Sequence, residues 1–209
     1  MRSFRHWTPR YIKNRLAVFY YEKNNPDRPW LTKSATEIFA SWLKNTDVGL
    51  EFGSGRSTLW FAKRIAHLVS IEHNEIWAAK VRSSLAEVKL ANVNYRLLPV
   101  DSTNVGESSY VRVLDEFSDN SLDFCLIDGT CRQYRAIKAI DKIRPSGLLI
   151  IDNVERYLPS SSHSPVARRL VDGADGPVWQ EVERRFADWR RIWTSSGVTD
   201  TALFFKPDF

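Results

Sequence analysis

The sequence predicts an α/β protein: a Rossmann-like, doubly wound, mostly parallel seven-stranded sheet with an antiparallel C-terminal hairpin. Three observations carry this. Short apolar runs bounded by turn residues alternate with amphipathic segments between Val48 and Ile151, the pattern of repeated βαβ units. The runs are continuously apolar, as strands buried on both faces of a parallel sheet read. Two further strand-like segments follow, joined by a turn at Ser196 and Gly197, which is a hairpin signal.

Taken in order, residues 1–45 are an aromatic, basic lead-in followed by a helix. Pro26 and Pro29 break the chain, Thr32 or Ser34 offers a cap, and Ile38, Phe39, Trp42 and Leu43 form one apolar stripe. A strand over 48–52 leads to a helix over 57–67 with Leu59, Ala62, Ile65 and Ala66 inward, then a strand over 68–72. Asn74 caps a helix whose Trp77, Val81, Leu85 and Val88 share a face. Strand 93–98, polar loop 101–109, a helix near 111–117, strand 122–127, helix 134–143 and strand 148–151 complete the alternation. The segment 155–177 is a Ser-, Pro- and Gly-rich loop with a short helical stretch at 166–171, before a helix over 178–186 and strands over 189–194 and 202–206.

A chain of 209 residues suits one domain. It divides into the lead-in and helix (1–45), a cofactor-binding core (46–154), a variable acceptor loop (155–177) and the terminal helix and hairpin (178–209). Hydrophobic residues at 43% and charged residues at 26% exclude disordered and fibrous classes. No apolar run approaches the roughly 20 residues that cross a bilayer. The N-terminus carries Arg2, Arg5, Arg10, Lys13 and Arg15 without the apolar core of a secretory signal, so a cytoplasmic location is expected. Cys125 and Cys131 fit neither a disulfide framework nor a zinc pattern, and Cys125 reads as a buried thiol.

The net charge of +5 gathers near the N-terminus and at Arg184, Arg185, Arg190 and Arg191. It reads equally as solvated surface or as a positive patch for an anionic acceptor or a peripheral membrane contact. Trp179, Trp189 and Trp193 beside the late basic group fit a packed helix and hairpin better than a nucleic-acid surface. No feature fixes an oligomeric state.

Ligands of open parallel sheets bind beyond the carboxyl ends of the strands, where strand order reverses. Here each predicted parallel strand ends in a carboxylate: Glu51 before Gly53-Ser54-Gly55, Glu72-His73, Asp101-Ser102, Asp128-Gly129 and Asp152-Asn153. Singly these are ordinary turn residues; together they outline a site. A pyrophosphate loop calls for three glycines, but the third position is Thr58, and Glu51 would repel a pyrophosphate. A carboxylate there suits a cationic amino group, while the glycines let the backbone approach a ligand. Glu72 is placed for ribose hydroxyls, and Asp101 and Ser102 for an adenine amino group.

The segments Leu50-Glu51-Phe52-Gly53-Ser54-Gly55-Arg56-Ser57-Thr58, Ser70-Ile71-Glu72-His73 and Ile127-Asp128-Gly129 resemble those of class I S-adenosylmethionine-dependent methyltransferases, over roughly residues 30–209. The resemblance implies S-adenosylmethionine as cofactor, bound by Glu51, Phe52, Gly53, Ser54, Gly55, Ser57, Thr58, Glu72, His73, Asp101, Ser102 and Asp128, and methylation of a small or medium acceptor at oxygen. Trp30, just after Pro29, is a candidate to close over the cofactor.

The second half resembles the catechol and caffeoyl-CoA O-methyltransferase branch. Asp128, Tyr134, Asp152 and Asn153 take the positions that hold magnesium there, which implies Asp128, Asp152 and Asn153 as Mg²⁺ ligands and a Lewis-acid-activated hydroxyl. The branch's general-base lysine is Cys131 here, which passes the role to His163 or to no base; Asp128, Asp152 and His163 form the expected catalytic set. Two other readings stand beside this one. An NAD(P)-dependent oxidoreductase shares the topology, against which Glu51 and the missing glycine speak. A non-catalytic Rossmann-like module would instead bind a partner through the basic N-terminus.

Overall fold

The computed structural model describes residues 7–101 and 103–208. Helix α1 (Pro9–Asn24) starts where Thr8 accepts the Tyr11 N–H on its hydroxyl at 3.2 Å and Pro9 presets the first turn. Helix α2 (Lys33–Trp42) is capped by Thr32, one of the two residues offered by the sequence. Next come β1 (Val48–Phe52), α3 (Arg56–Ala62), β2 (His67–Glu72), α4 (Glu75–Val88) and β3 (Val93–Leu97). The Asn74 side chain accepts the Trp77 N–H at 2.9 Å and so caps α4, as expected. The second half is α5 (Ser109–Arg112), β4 (Leu122–Ile127), α6 (Arg132–Lys142), β5 (Ile143–Asp152), α7 (Gly176–Arg185), β6 (Arg190–Ser195) and β7 (Asp200–Phe205).

The seven strands form one sheet in the order β3-β2-β1-β4-β5-β7-β6. Strands β1 to β5 are mutually parallel, and β7 runs antiparallel to both β5 and β6. One face buries Leu50, Phe52, Cys125, Ile127 and Ile151 against Ala136, Ala139 and Ile140 of α6 and Trp179 and Val182 of α7. The other buries Leu68, Phe124, Leu126 and Ile150 against Phe39 of α2 and Trp60 and Phe61 of α3. Phe39 meets Phe124 edge-on at 4.9 Å and Phe61 at 5.2 Å, contacts worth about 1 kcal/mol each beyond the area they bury. Cys125 is fully buried, and burial pushes its thiol pKa up, as an inert core residue requires.

Several elements differ from the sequence expectation: β5 begins at Ile143, five residues early, and the helix near 111–117 is α-helical only over Ser109–Arg112 before a 3₁₀ turn. The lead-in forms α1, which buries none of its own residues and so lacks the stripe that betrays a core helix. Helix α3 stops at Ala62 because the Asp47 carbonyl accepts the N–H groups of Ala66 and His67, drawing the chain straight into β2. The segment at 166–171 is not helical; the loop holds only 3₁₀ turns at Val154–Arg156 and Leu170–Asp172. Among the described residues no helix is long and apolar enough to cross a membrane.

Candidate functional site

The strand order reverses between β1, flanked by β2, and β4, flanked by β5. There the two following loops touch. Gly53 has φ +86°, and a Cβ on it would stand 3.1 Å from the Asp128 carbonyl carbon and the Gly129 nitrogen. Gly129, at φ +74°, faces it, and the Asp128 N–H donates to the Phe52 carbonyl at 3.0 Å. Neither glycine has room or backbone geometry for a side chain.

Glu51 lies directly under this crossing and is fully buried. The parallel register sets it beside Ser70, whose hydroxyl donates to Glu51 Oε2 at 2.8 Å; Thr58 Oγ1 donates to the same oxygen at 2.6 Å. Glu51 Oε1 accepts no hydrogen bond of normal geometry, although the Ser57 hydroxyl lies near enough to the carboxyl to act on it. Burial pushes this carboxyl up to about 7, with the hydroxyls of Ser57, Thr58 and Ser70 pulling it back and Asp128 adding to the rise. A buried acceptor without a donor costs about 1–3 kcal/mol.

Glu72, at the end of β2, is also buried. Ser54 donates to its Oε2 through both N–H (3.1 Å) and hydroxyl (3.0 Å), and the His73 and Asn74 N–H groups donate to Oε1 at 2.8 Å each. The Ser54 hydroxyl also pairs with Tyr95 at 2.7 Å. His73 stays next to Glu72, with Nδ1 3.1 Å from Oε1. Trp77 is half-buried against the glycine loop instead of filling the core, and its Nε1 donates to the Ser54 carbonyl at 2.6 Å. Its ring lies 6.0 Å from Trp30, which is 50% exposed and carries the Arg56 guanidinium 5.1 Å from its centroid.

Two expected binding residues are turned to other partners. The Phe52 side chain points into the core, 5.6 Å from Tyr110 and 4.8 Å from the buried Arg135 guanidinium. Asp101 is exposed and accepts both the N–H and the hydroxyl of Thr103, bonds that lower its pKa. Ser102 lies outside the described residues.

The magnesium set is corrected by a residue that sequence reasoning passed over. Arg132, at the start of α6, is buried and points its guanidinium among the three supposed ligands. It donates through Nη2 to Asp128 Oδ1, and through Nη1 to the Asp152 carbonyl and, at 2.9 Å, to Asn153 Oδ1; its Nε donates to the Gly129 carbonyl at 2.9 Å. The Asp152 carboxylate instead accepts the hydroxyl of Thr201, its register partner on β7, at 2.8 Å, and burial raises its pKa to about 7. Tyr134 packs beside Gly106, in a different cleft. Among the described residues no three His, Cys, Asp or Glu side chains converge on a metal position. A fixed guanidinium already supplies the positive charge, so the residues present do not fit Mg²⁺.

His163 is exposed and lines a cleft of about 730 Å³ with Arg10, Asn14, Arg191 and Trp193. Asp128, Asp152 and Asn153 do not line it, so the expected catalytic set is not brought together at one point. A smaller cavity of about 210 Å³ lies between α1 and the β6–β7 turn, lined by Tyr21, Trp30, Thr32 and Thr199. Thr199 accepts the Asn153 side-chain N–H at 2.6 Å, which ties this cavity to the strand ends.

No family description matches the chain, and no curated protein matches it in sequence. In structure it is similar to a caffeoyl-CoA O-methyltransferase-like protein from Staphylococcus aureus, with a TM-score of 0.58 and 18% identity over 97% of this chain and 95% of that one. It is similar to a methyltransferase-like protein from Silicibacter pomeroyi, with a TM-score of 0.58 and 22% identity over 87% and 90% of the two chains. A methyltransferase from Geobacter sulfurreducens gives a TM-score of 0.55 and 12% identity over 93% and 90%. These likenesses show a common Rossmann-like fold.

Proposed function

We propose that this chain, which has the Rossmann-like fold of class I S-adenosylmethionine-dependent methyltransferases, transfers a methyl group from S-adenosylmethionine to a small or medium acceptor, at oxygen. The observation that carries the reading is the unpartnered, fully buried Glu51 Oε1 at the end of β1, just ahead of the glycine loop. S-adenosylmethionine, when bound, supplies an electrophilic methyl group on a sulfonium.

In this reading Glu51 Oε1 accepts from the cofactor's amino group, and Thr58 and Ser70 hold the carboxylate in place from the other oxygen. Gly53 and Gly55 let the backbone approach, with Ser57 beside them. Glu72 takes the ribose hydroxyls in place of the Ser54 hydroxyl, and His73 borders the same edge. Both hydrogen bonds made to Asp128 fall on Oδ1, leaving Oδ2 open toward the acceptor. Arg132 fixes Asp128 and Asn153 in one arrangement, so acceleration comes chiefly from holding nucleophile and methyl group in line. His163, outside this cluster, has no part in the transfer.

Titrating the protein with S-adenosylhomocysteine and with NADH, followed by tryptophan fluorescence, tests the reading. Micromolar binding of S-adenosylhomocysteine, and its release from S-adenosylmethionine in the presence of an acceptor panel, supports it. Binding of NADH alone overturns it in favour of an oxidoreductase.

A further inference from the structure

The cleft between α1 and the edge strand β6 is lined by two arginines, Arg10 and Arg191. Arg191, Trp193 and Ser195 alternate along one face of β6 and all line it, while Arg10 enters from the first turn of α1. The positive end of the α1 dipole lies at that same turn. Among the described residues, Arg10 and Arg191 form no ion pair, whereas Arg168, Arg169, Arg184 and Arg185 are each paired with a carboxylate. Among the described residues, no Asp or Glu lines the cleft. Asp200 lies beneath its floor, fully buried, with one oxygen accepting the Ser164 hydroxyl at 2.6 Å and the other the Trp193 indole N–H at 2.9 Å.

The cleft adjoins the inner cavity, and Asn14 and Ser196 line both. The Asn14 side chain is pressed onto the hairpin turn at Gly197, whose φ of +72° favours glycine. The inner cavity, with Tyr21 and Trp30 on its walls, ends at Thr199 and hence at Asn153. A positive outer cleft thus neighbours an inner cavity that carries Tyr21 and Trp30 beside one acid, Glu22, and one base, Lys33, and that abuts the strand ends.

We propose that this cleft is the specificity site of the acceptor and binds an oxyanion, a phosphate or a carboxylate, carried on an elongated molecule whose uncharged body occupies the inner cavity. Arg10 and Arg191 are the oxyanion ligands, and their guanidinium forks suit either group. The proposal rests on the methyl-transfer reading for its inner end, but the oxyanion site itself is testable without it.

The probes are phenyl phosphate, benzoate and the neutral benzyl alcohol, titrated against the full chain with tryptophan fluorescence and NMR shifts as readouts. One or both anions bind, benzyl alcohol binds at least tenfold more weakly, and the comparison of the two anions identifies the preferred oxyanion. The double variant Arg10→Gln/Arg191→Gln weakens the anion tenfold or more while S-adenosylhomocysteine affinity stays unchanged. A control with the same charge loss, Arg15→Gln/Arg190→Gln, binds as the wild type does. Equal anion binding by the double variant, equal weakening by the control, or equally tight benzyl alcohol overturns the site. Failure of S-adenosylhomocysteine to bind the wild type, by contrast, counts against the methyl-transfer reading and leaves the oxyanion result standing.

Discussion

Arg132 Nη1 donates to Asn153 Oδ1 at 2.9 Å, which sets a guanidinium where the resemblance implies a divalent cation. Its neighbours Asp128 and Asp152 repel one another, and Arg132 offsets that repulsion. Removing one partner of a buried charge cluster leaves the others uncompensated, at about 3–5 kcal/mol. Arg132→Ala therefore loses about 3 kcal/mol at pH 8, read from urea unfolding. Release of S-adenosylhomocysteine by the wild type stays unchanged in EDTA, and added Mg²⁺ leaves the melting temperature where it was. A rise in turnover with Mg²⁺ would show that Arg132 gives way to a metal.

Gly53→Ala separates backbone strain from crowding. At φ +86° an L-residue is strained, and the new methyl meets backbone atoms at 3.1 Å that have no flexible end to move. The expected loss is about 2–3 kcal/mol together with at least tenfold weaker S-adenosylhomocysteine binding. Gly173→Ala shares a positive φ of +62° but has nothing within 4 Å, so it loses only about 1 kcal/mol and keeps its affinity. Equal losses in the two variants would mean that the close approach of the loops after β1 and β4 carries no energetic weight.

The parallel strands were legible because continuous apolar runs such as Leu122–Ile127 have no other stable place than a sheet covered on both sides. Glu51, Glu72 and Asp128 followed from topology alone, since strand ends in such a sheet gather at one edge. What each carboxylate does there was not legible. The Ser54 contacts of Glu72 and the Ser70 contact of Glu51 depend on register and loop closure, which leave no mark on residue spacing. Arg132, four residues after Asp128, reads as an ordinary helix ion pair until Asn153 is folded against it. The oxyanion cleft joins Arg10 to Arg191 across nearly the whole chain, and α1 hides from periodicity because it buries nothing.

Ser54 and the ribose hydroxyls compete for Glu72. Both lone pairs of Oε2 are taken by Ser54, and both of Oε1 by the His73 and Asn74 N–H groups. A ribose reaches Oε2 only by displacing the Ser54 hydroxyl, next to the Ser54 carbonyl that accepts the Trp77 indole N–H. Ser54→Ala therefore binds S-adenosylhomocysteine at least as tightly as the wild type, and Glu72→Ala at least tenfold more weakly. Wild-type binding shifts tryptophan emission, and Trp77→Phe removes most of that signal. Weaker binding by Ser54→Ala would assign Ser54 to the ligand and leave Glu72 as a brace for the loop.

Glu51 ties stability to pH with a sign opposite to that of a paired surface carboxylate. Its carboxyl titrates at about 7 when folded and near 4.5 when free. Between those values the folded chain holds a proton that the unfolded chain has lost, so stability falls as pH rises through the window, by on the order of 3 kcal/mol. Glu51→Gln cannot ionise. Its stability relative to the wild type is expected to be near zero at pH 5 and to grow in favour of the variant toward pH 8, measured as urea midpoints; Asp152 titrates in both proteins and cancels. A cationic amino group on Oε1 reverses the balance by favouring the ionised form. At pH 6, binding of S-adenosylhomocysteine should then release a proton from the wild type, seen as a dependence of the calorimetric heat on buffer ionisation enthalpy. The weaker binding of Glu51→Gln should show no such dependence. Identical proton release from both proteins would exclude Glu51 as the amino-group partner and remove the main support for the methyl-transfer reading.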